Sequence, residues 1–246
     1  MNRLLNKTAV ITGGNSGIGL ATAREFIAEG ARVIITGRNK TSLDKAVAEL
    51  GAQAQGIVSD TSNIKDVLQL GQQVSALLPK VDVLFINAGI AKFSPIEEVS
   101  EAFFDEQFDT NVKGAFFTIQ QLLPLMGEGG SIVLNTSINA HVGMPGASIY
   151  GASKAAVLTF AKNLSAELLS KKIRVNAISP GPVATPLHTK LGVPEDEHMK
   201  QTAGLIPLGR FGTPQEIARI AVFFASEDSS FVLGAELIAD GGMATL

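Results

Sequence analysis

The stretch Thr8-Ala9-Val10-Ile11-Thr12-Gly13-Gly14-Asn15-Ser16-Gly17-Ile18-Gly19 decides the fold. Residues 8–12 are apolar or β-branched and read as a short buried strand, and the pattern that follows, through Glu29, is helical. Between them lies a glycine turn. Glycines remove Cβ atoms where backbone must approach a ligand, and a helix N-terminus offers free N–H groups and the positive end of its dipole. Strand, turn and helix in this order form a phosphate-binding arrangement. The spacing G-x-x-x-G-x-G differs by one residue from the more general G-x-G-x-x-G dinucleotide fingerprint.

A second strand, Arg32-Val33-Ile34-Ile35-Thr36, follows Gly30, as a βαβ unit requires. The residues after it bear on the choice of nucleotide. An acidic residue there binds the adenosine ribose hydroxyls of NAD, whereas the 2′-phosphate of NADP needs a cation. This chain has Gly37-Arg38-Asn39 and no acid. A carboxylate would repel the phosphate and an arginine can bind it through two N–H groups, so the reading is NADP(H), with Arg38 as the main determinant.

The alternation continues to the end of the chain. Helices are expected near 41–50, 63–77, 101–126, 150–170 and 214–226, and strands at 53–58, 81–86, 131–135, 173–178 and near 235–239. Repeated β-α with apolar strands predicts an α/β, Rossmann-type doubly wound fold: a mostly or wholly parallel seven-stranded sheet with helices on both faces, in one domain spanning 1–246. Ligands in such sheets lie at the carboxyl ends of the strands. Asp60, Asn87-Ala88-Gly89, Ser137 and Pro180-Gly181 all fall there. Each also has a plain reading: Asp60 as a cap for the helix near Asn63 rather than an adenine contact, the others as ordinary turns.

Tyr150-Gly151-Ala152-Ser153-Lys154 lies at the start of the helix expected over 150–170. Residues four apart share a helix face, so Lys154 can reach the space beside the only tyrosine of the chain. A nearby cation favours phenolate. Bringing a phenol from ~10 to ~7 takes roughly 4 kcal/mol, of which the lysine supplies part and a nicotinamide ring could supply more.

Composition narrows the remaining classes. With 46% hydrophobic and 17% charged residues, a net charge of −3 and scattered basic residues, the chain is no candidate for binding nucleic acid or an anionic membrane. Lacking cysteine, it has no disulfide framework, thiolate zinc site or thiol nucleophile. His141, His188 and His198 lack a metal-ligand spacing, so no metal is expected. Residues 1–7 lack the apolar run of a signal peptide, and no segment approaches the length of a membrane span; a cytoplasmic protein is expected.

Taken together, these motifs resemble the short-chain dehydrogenase/reductase family over nearly the whole chain. Thr12-Gly13-x-x-x-Gly17-Ile18-Gly19 is similar to its cofactor motif, with Asn15 and Ser16 inside the turn, and Asn87-Ala88-Gly89 to its strand-four motif, although Ile86 stands where another Asn is common. Asn111, Ser137, Tyr150 and Lys154 each match one member of the family's catalytic tetrad. Pro180-Gly181 through Val183 and Thr185 resembles the segment that meets the nicotinamide carboxamide, with Thr185 hydrogen-bonding it. The resemblance implies that Tyr150 exchanges a proton with the substrate oxygen while Ser137 orients it. Lys154 would lower the tyrosine pKa and hold the nicotinamide ribose, and Asn111 would support a water leading to solvent.

Pocket walls are expected from Ile90, Ala91 and Phe93, from Ile138, Asn139, His141 and Met144, and from a lid over 186–206. These are mostly apolar and predict a medium-sized apolar or aromatic ketone or aldehyde; His141 is read as a bystander. The alternatives are a 3-oxoacyl-carrier-protein reductase, for which Lys190, Lys200 and Arg210 would meet the acidic carrier, and a non-catalytic nucleotide sensor. Helices 101–126 and 150–170 are apolar or small on more than one face, which argues for two neighbours each. The family pairs such helices, and the region Phe231 to Gly242, between subunits, so a homotetramer is expected.

Overall fold

Strands of a parallel sheet are covered on both faces and carry apolar side chains in both directions. Every residue of β1 (Thr8–Ile11) and β6 (Arg174–Pro180) is buried, as is nearly all of β2 (Arg32–Gly37) and β4 (Val81–Ile86). In the computed structural model, which describes residues 2–185 and 195–246, they join β3 (Ala54–Val58), β5 (Met126–Asn135) and β7 (Glu236–Ala239). The result is one seven-stranded sheet of order β3-β2-β1-β4-β5-β6-β7, parallel throughout. After β3 the chain crosses back to lay β4 beside β1, so the strand order reverses there and leaves a crevice above both carboxyl ends.

Adjacent strand residues point to opposite faces, so one sheet serves two cores. Val10, Ile34, Leu84, Ile132 and Val175 pack with Leu70 of α3 (Ile64–Ser75), Ile119 of α5 (Gly114–Leu122) and Val157 of α6 (Ser148–Glu167). Their neighbours Ile11, Ile35, Phe85 and Val133 pack with Phe26 of α1 (Gly17–Ala28), Leu43 of α2 (Lys40–Leu50) and Val222 of α8 (Pro214–Ala225). Thr213 and Glu216 form a capping box at the start of α8. Its far end is closed by the buried Arg174, which donates to Phe224 O at 2.9 Å and Ser226 O at 3.1 Å.

The helix expected over 101–126 is not continuous. It comprises α4 (Glu101–Phe108), a π-helical segment Asp109–Lys113, α5 and a 3-10 turn Leu123–Leu125. The extra residue in the widened turn resets the helix register in the middle of the element. Asn111 is buried there, and Gly114 lets α5 approach backbone, since a Cβ on it would lie 2.3 Å from Thr61 O. The fifth strand starts at Met126 rather than 131, because the glycine-rich Gly127–Gly130 run extends β5 with a register shift against β4. Asn63, not Asp60, caps α3, its side chain accepting from Lys65 N. Of the lid expected over 186–206, residues 186–194, and with them Lys190 and His188, lie outside the described residues; α7 (Glu195–Gly204) covers most of the rest. No helix among the described residues is long and apolar enough to cross a membrane.

Candidate active site

Thr12, at the end of β1, holds the crevice together. Its hydroxyl oxygen accepts from Asn87 N at 2.9 Å and Ala88 N at 3.0 Å, tying the end of β4 to the start of the glycine turn. Asn87 Nδ2 donates back to Thr12 O and Gly13 O, at 3.0 and 3.2 Å, and Asn87 Oδ1 accepts from Asn135 Nδ2 at 2.8 Å. The turn itself needs glycine. Gly13 and Gly17 have φ of 62° and 52°, and a Cβ on Gly19 would stand 2.3 Å from Gly13 O.

Above this turn runs a cleft of about 710 Å³. At one end are Gly13, Asn15, Ser16, Gly17, Ile18, Arg38 and Asp60; in the middle Asn87, Ala88 and Gly89; at the other Ser137, Tyr150, Lys154, Pro180, Gly181, Val183 and Thr185. Backbone bared by glycine, an exposed arginine at one end and hydroxyls at the other fit an elongated dinucleotide. Asn15 donates to Ser42 Oγ at 2.9 Å beside Arg38, while Asn39 caps α2 by accepting from Ser42 N. Asp60 accepts from Ser62 N and Oγ, at 3.0 and 2.7 Å, and remains on the cleft wall.

Asn111 is outside the cleft lining, against Gly89. Its amide donates to Ile90 O at 2.9 Å and Ser153 Oγ at 3.0 Å and accepts from Ile90 N at 2.8 Å, fixing the loop after β4 to α6. Gly89 makes room for this, since a Cβ there would lie 3.0 Å from Asn111 Oδ1 and 3.5 Å from Lys154 Nζ.

Tyr150 and Lys154 share the buried face of α6. The Tyr150 and Ser137 side chains line the same end of the cleft, and Phe93 meets the tyrosine ring edge-on at 5.8 Å. Lys154 Nζ donates to Asn135 O at 3.0 Å and lies 5.8 Å from the Tyr150 ring centre. Burial pushes the phenol above its ordinary value, opposed by the Ser137 hydroxyl, and pushes the lysine down to about 8. Both shifts share one cause, since desolvation disfavours the charged form of each group. A hydroxyl pair beside a buried amine can hold and pass a proton.

The lysine has a measurable consequence for stability. Its folded value of about 8 lies below the unfolded one of ~10.4, so between these the unfolded chain binds more protons and stability rises with pH. Relative to Lys154→Met, the wild-type chain is expected to gain up to about 3 kcal/mol between pH 7.5 and 10 in urea unfolding. A difference that stays flat across this range would place a charged, solvated lysine at 154.

Several expected wall residues take other places. Ile90 lines the cleft, but Ile138 is buried beneath the turn that follows β5. Asn139 and Met144 line a second hollow of about 550 Å³. His141 bonds Glu236 Oε1 at 2.7 Å. Thr12, which the motif includes without a role of its own, proves to be the brace of the turn, and Asn135 and Ser153 join the site unannounced except by the strand-end position of the one and the place of the other beside Lys154. Among the described residues no group of His, Asp and Glu could hold a metal ion.

The fold and sequence are shared with known proteins. Residues 13–244 match the family model described as enoyl-(acyl carrier protein) reductase. The oxidoreductase asL5 of Sarocladium schorii is 41% identical, covering 100% of this chain and 99% of its own. The 3-oxoacyl-[acyl-carrier-protein] reductase FabG of Thermotoga maritima is 38% identical over 98% and 99% of the two. A dehydrogenase/reductase structure from Sinorhizobium meliloti superposes with a TM-score of 0.92 at 34% identity, over 100% of this chain and 97% of that one. With the sheet order, the glycine turn and these matches together, the chain belongs to the short-chain dehydrogenase/reductase family, oxidoreductases that act on alcohol and carbonyl groups with a nicotinamide cofactor.

Proposed function

We propose that the chain is an NADPH-dependent reductase of medium-sized apolar or aromatic ketones and aldehydes, Tyr150 acting as general acid. The observation that carries this reading is the meeting of Ser137, Tyr150 and the buried Lys154 at one end of a cleft whose other end holds Arg38. NADPH, when bound, supplies the hydride. Tyr150 gives its proton to the substrate oxygen, and the burial that keeps the phenol protonated suits this direction. Ser137 holds the same oxygen through its hydroxyl. Lys154, once charged, draws the phenol back toward ionisation as the proton leaves. Asn111 fixes the Ile90 loop and, through Ser153, the first turn of α6. Arg38 takes the 2′-phosphate, since it is exposed on the cleft wall beside Asn15 and Ser42 and the Gly37-Arg38-Asn39 stretch that follows β2 carries no acid to repel the anion.

The likeness to the Thermotoga 3-oxoacyl-carrier-protein reductase favours that reaction as a second reading. Of the cations that would meet such a carrier, Arg210 is already paired with Glu216, at 2.7 Å, and Lys200 is exposed. A nucleotide sensor has no use for an amine buried at the cost that Lys154 bears. A homotetramer remains our reading of the assembly, supported by the half-exposed Phe104 and Phe116, stacked or packed on Phe108 and Phe160, and by the fully exposed Phe231.

One experiment tests cofactor and substrate together. Aryl ketones, sugars and a 3-oxoacyl thioester are offered to the wild type and to Arg38→Asp with NADPH and with NADH. Aryl ketones are expected to turn over fastest with NADPH, and Arg38→Asp to lower the NADPH/NADH ratio about a hundred-fold, the loss of a charge-assisted bidentate contact of about 3 kcal/mol. An unchanged ratio would move the phosphate elsewhere, and sugars reacting fastest would overturn the substrate class.

A further inference from the structure

Ser137 opens a 3-10 turn, Ile138–Ala140, in which Ala140 N and His141 N donate to Ser137 O and Ile138 O at 3.0 and 2.8 Å. Its own hydroxyl accepts from Asn139 N at 3.2 Å. These contacts are local and leave open what fixes the turn against the sheet. The residues on either side of it, Thr136 and His141, supply the answer.

His141 Nε2 donates to Glu236 Oε1 at 2.7 Å, and the buried Ser179 hydroxyl donates to the same oxygen. Ser179 Oγ in turn meets the buried Thr136 Oγ1, which also lies 2.8 Å from Ile178 O. Thr136, Ser179, Glu236 and His141 therefore form a hydrogen-bonded ring that is closed by the backbone from 136 to 141. The turn carrying Ser137 is that closing segment. Ser179 is on β6 and Glu236 on the edge strand β7, so the ring pins the turn to the last two strands of the sheet.

We infer that Glu236 is a positioning residue for Ser137: one carboxylate oxygen, gripping the turn at both ends through His141 and the Ser179–Thr136 pair, sets the place of the serine hydroxyl. The inference rests on the role proposed above for Ser137. A carboxylate suits the task because bonds to an ionised acceptor are shorter and stronger than neutral ones, and both donors converge on one atom. Oxygen-stabilising groups lose their effect when misplaced by about 1 Å, so a turn held only by its own backbone would serve poorly.

The test uses Glu236→Leu, Glu236→Gln and His141→Ala. In protein without added nucleotide, Glu236→Leu is expected to speed amide exchange at 140–142 about ten-fold, with β6 amides unchanged; the Gln variant, which still accepts both bonds, restores protection. Turnover should fall about ten-fold in Glu236→Leu with NADPH affinity within about two-fold, and should fall no further when the change is added to Ser137→Ala. His141→Ala, a surface change that does not threaten folding, should give part of both effects. Unchanged exchange in the turn, or losses from Ser137→Ala and Glu236→Leu that multiply, would overturn the inference. If Ser137→Ala alone retained turnover, the proposed function would fail, while the exchange data would still decide whether the ring holds the turn.

Discussion

Tyr150→Phe is expected to lower turnover about a thousand-fold or more while leaving NADPH affinity within about three-fold of wild type, the range for removal of a positioned proton donor. The ring is held by α6 and by the edge contact with Phe93, neither of which involves the hydroxyl. The variant therefore loses the oxygen and little else. Ser137 keeps its bond from Asn139 N, so the turn does not depend on the phenol either. Steady-state rates with the best ketone, paired with fluorescence titration of NADPH, measure both quantities. A variant that keeps its turnover would remove Tyr150 from the chemistry and leave the cleft as a binding site.

The second large effect is expected at Gly19. A methyl group there would stand 2.3 Å from Gly13 O and 2.6 Å from Asn87 Nδ2, so Gly19→Ala must displace either the turn or the asparagine that braces it. Displacing Asn87 breaks its bonds to Thr12 O and Gly13 O and strains the one from Asn135. Overpacking of this kind costs about 1–3 kcal/mol of stability. Dinucleotide affinity should fall about a hundred-fold, since tenfold corresponds to about 1.4 kcal/mol and the backbone that must approach the phosphates is itself what moves. Thermal melts with and without NADPH separate the two losses. Wild-type affinity in Gly19→Ala would mean that the turn takes no part in nucleotide binding.

Much of this was legible in the sequence because it depends on local chemistry. The apolar strands announce a sheet buried on both faces, and Gly13, Gly17 and Gly19 announce a close backbone approach. Tyr150 and Lys154 follow from helical spacing. What escaped depends on partners distant in the chain or on backbone form. The π-helical turn at Asp109–Lys113 leaves the 3.6-residue apolar pattern intact on either side, so 101–126 reads as one helix. Nothing near His141 points to Glu236, which sheet topology brings to it from the edge strand. The upward push on Tyr150 has the same origin: the lysine is visible four residues away, whereas the burial of the phenol is a property of the folded whole.

The bracing of the glycine turn also bears on how the protein is made. The turn ends by residue 19, yet the brace on the Thr12 and Gly13 carbonyls comes from Asn87, and Asn87 is bonded in turn by Asn135. As the chain is translated, its first helix can form early, but the cradle cannot close until β4 and β5 have been synthesised and have paired beside β1. A nucleotide in the surrounding solution therefore meets an incompletely braced turn on the nascent N-terminal half. Its stabilising effect is expected to be full only once more than half of the chain is complete, and so to fall on the last stage of maturation rather than the first.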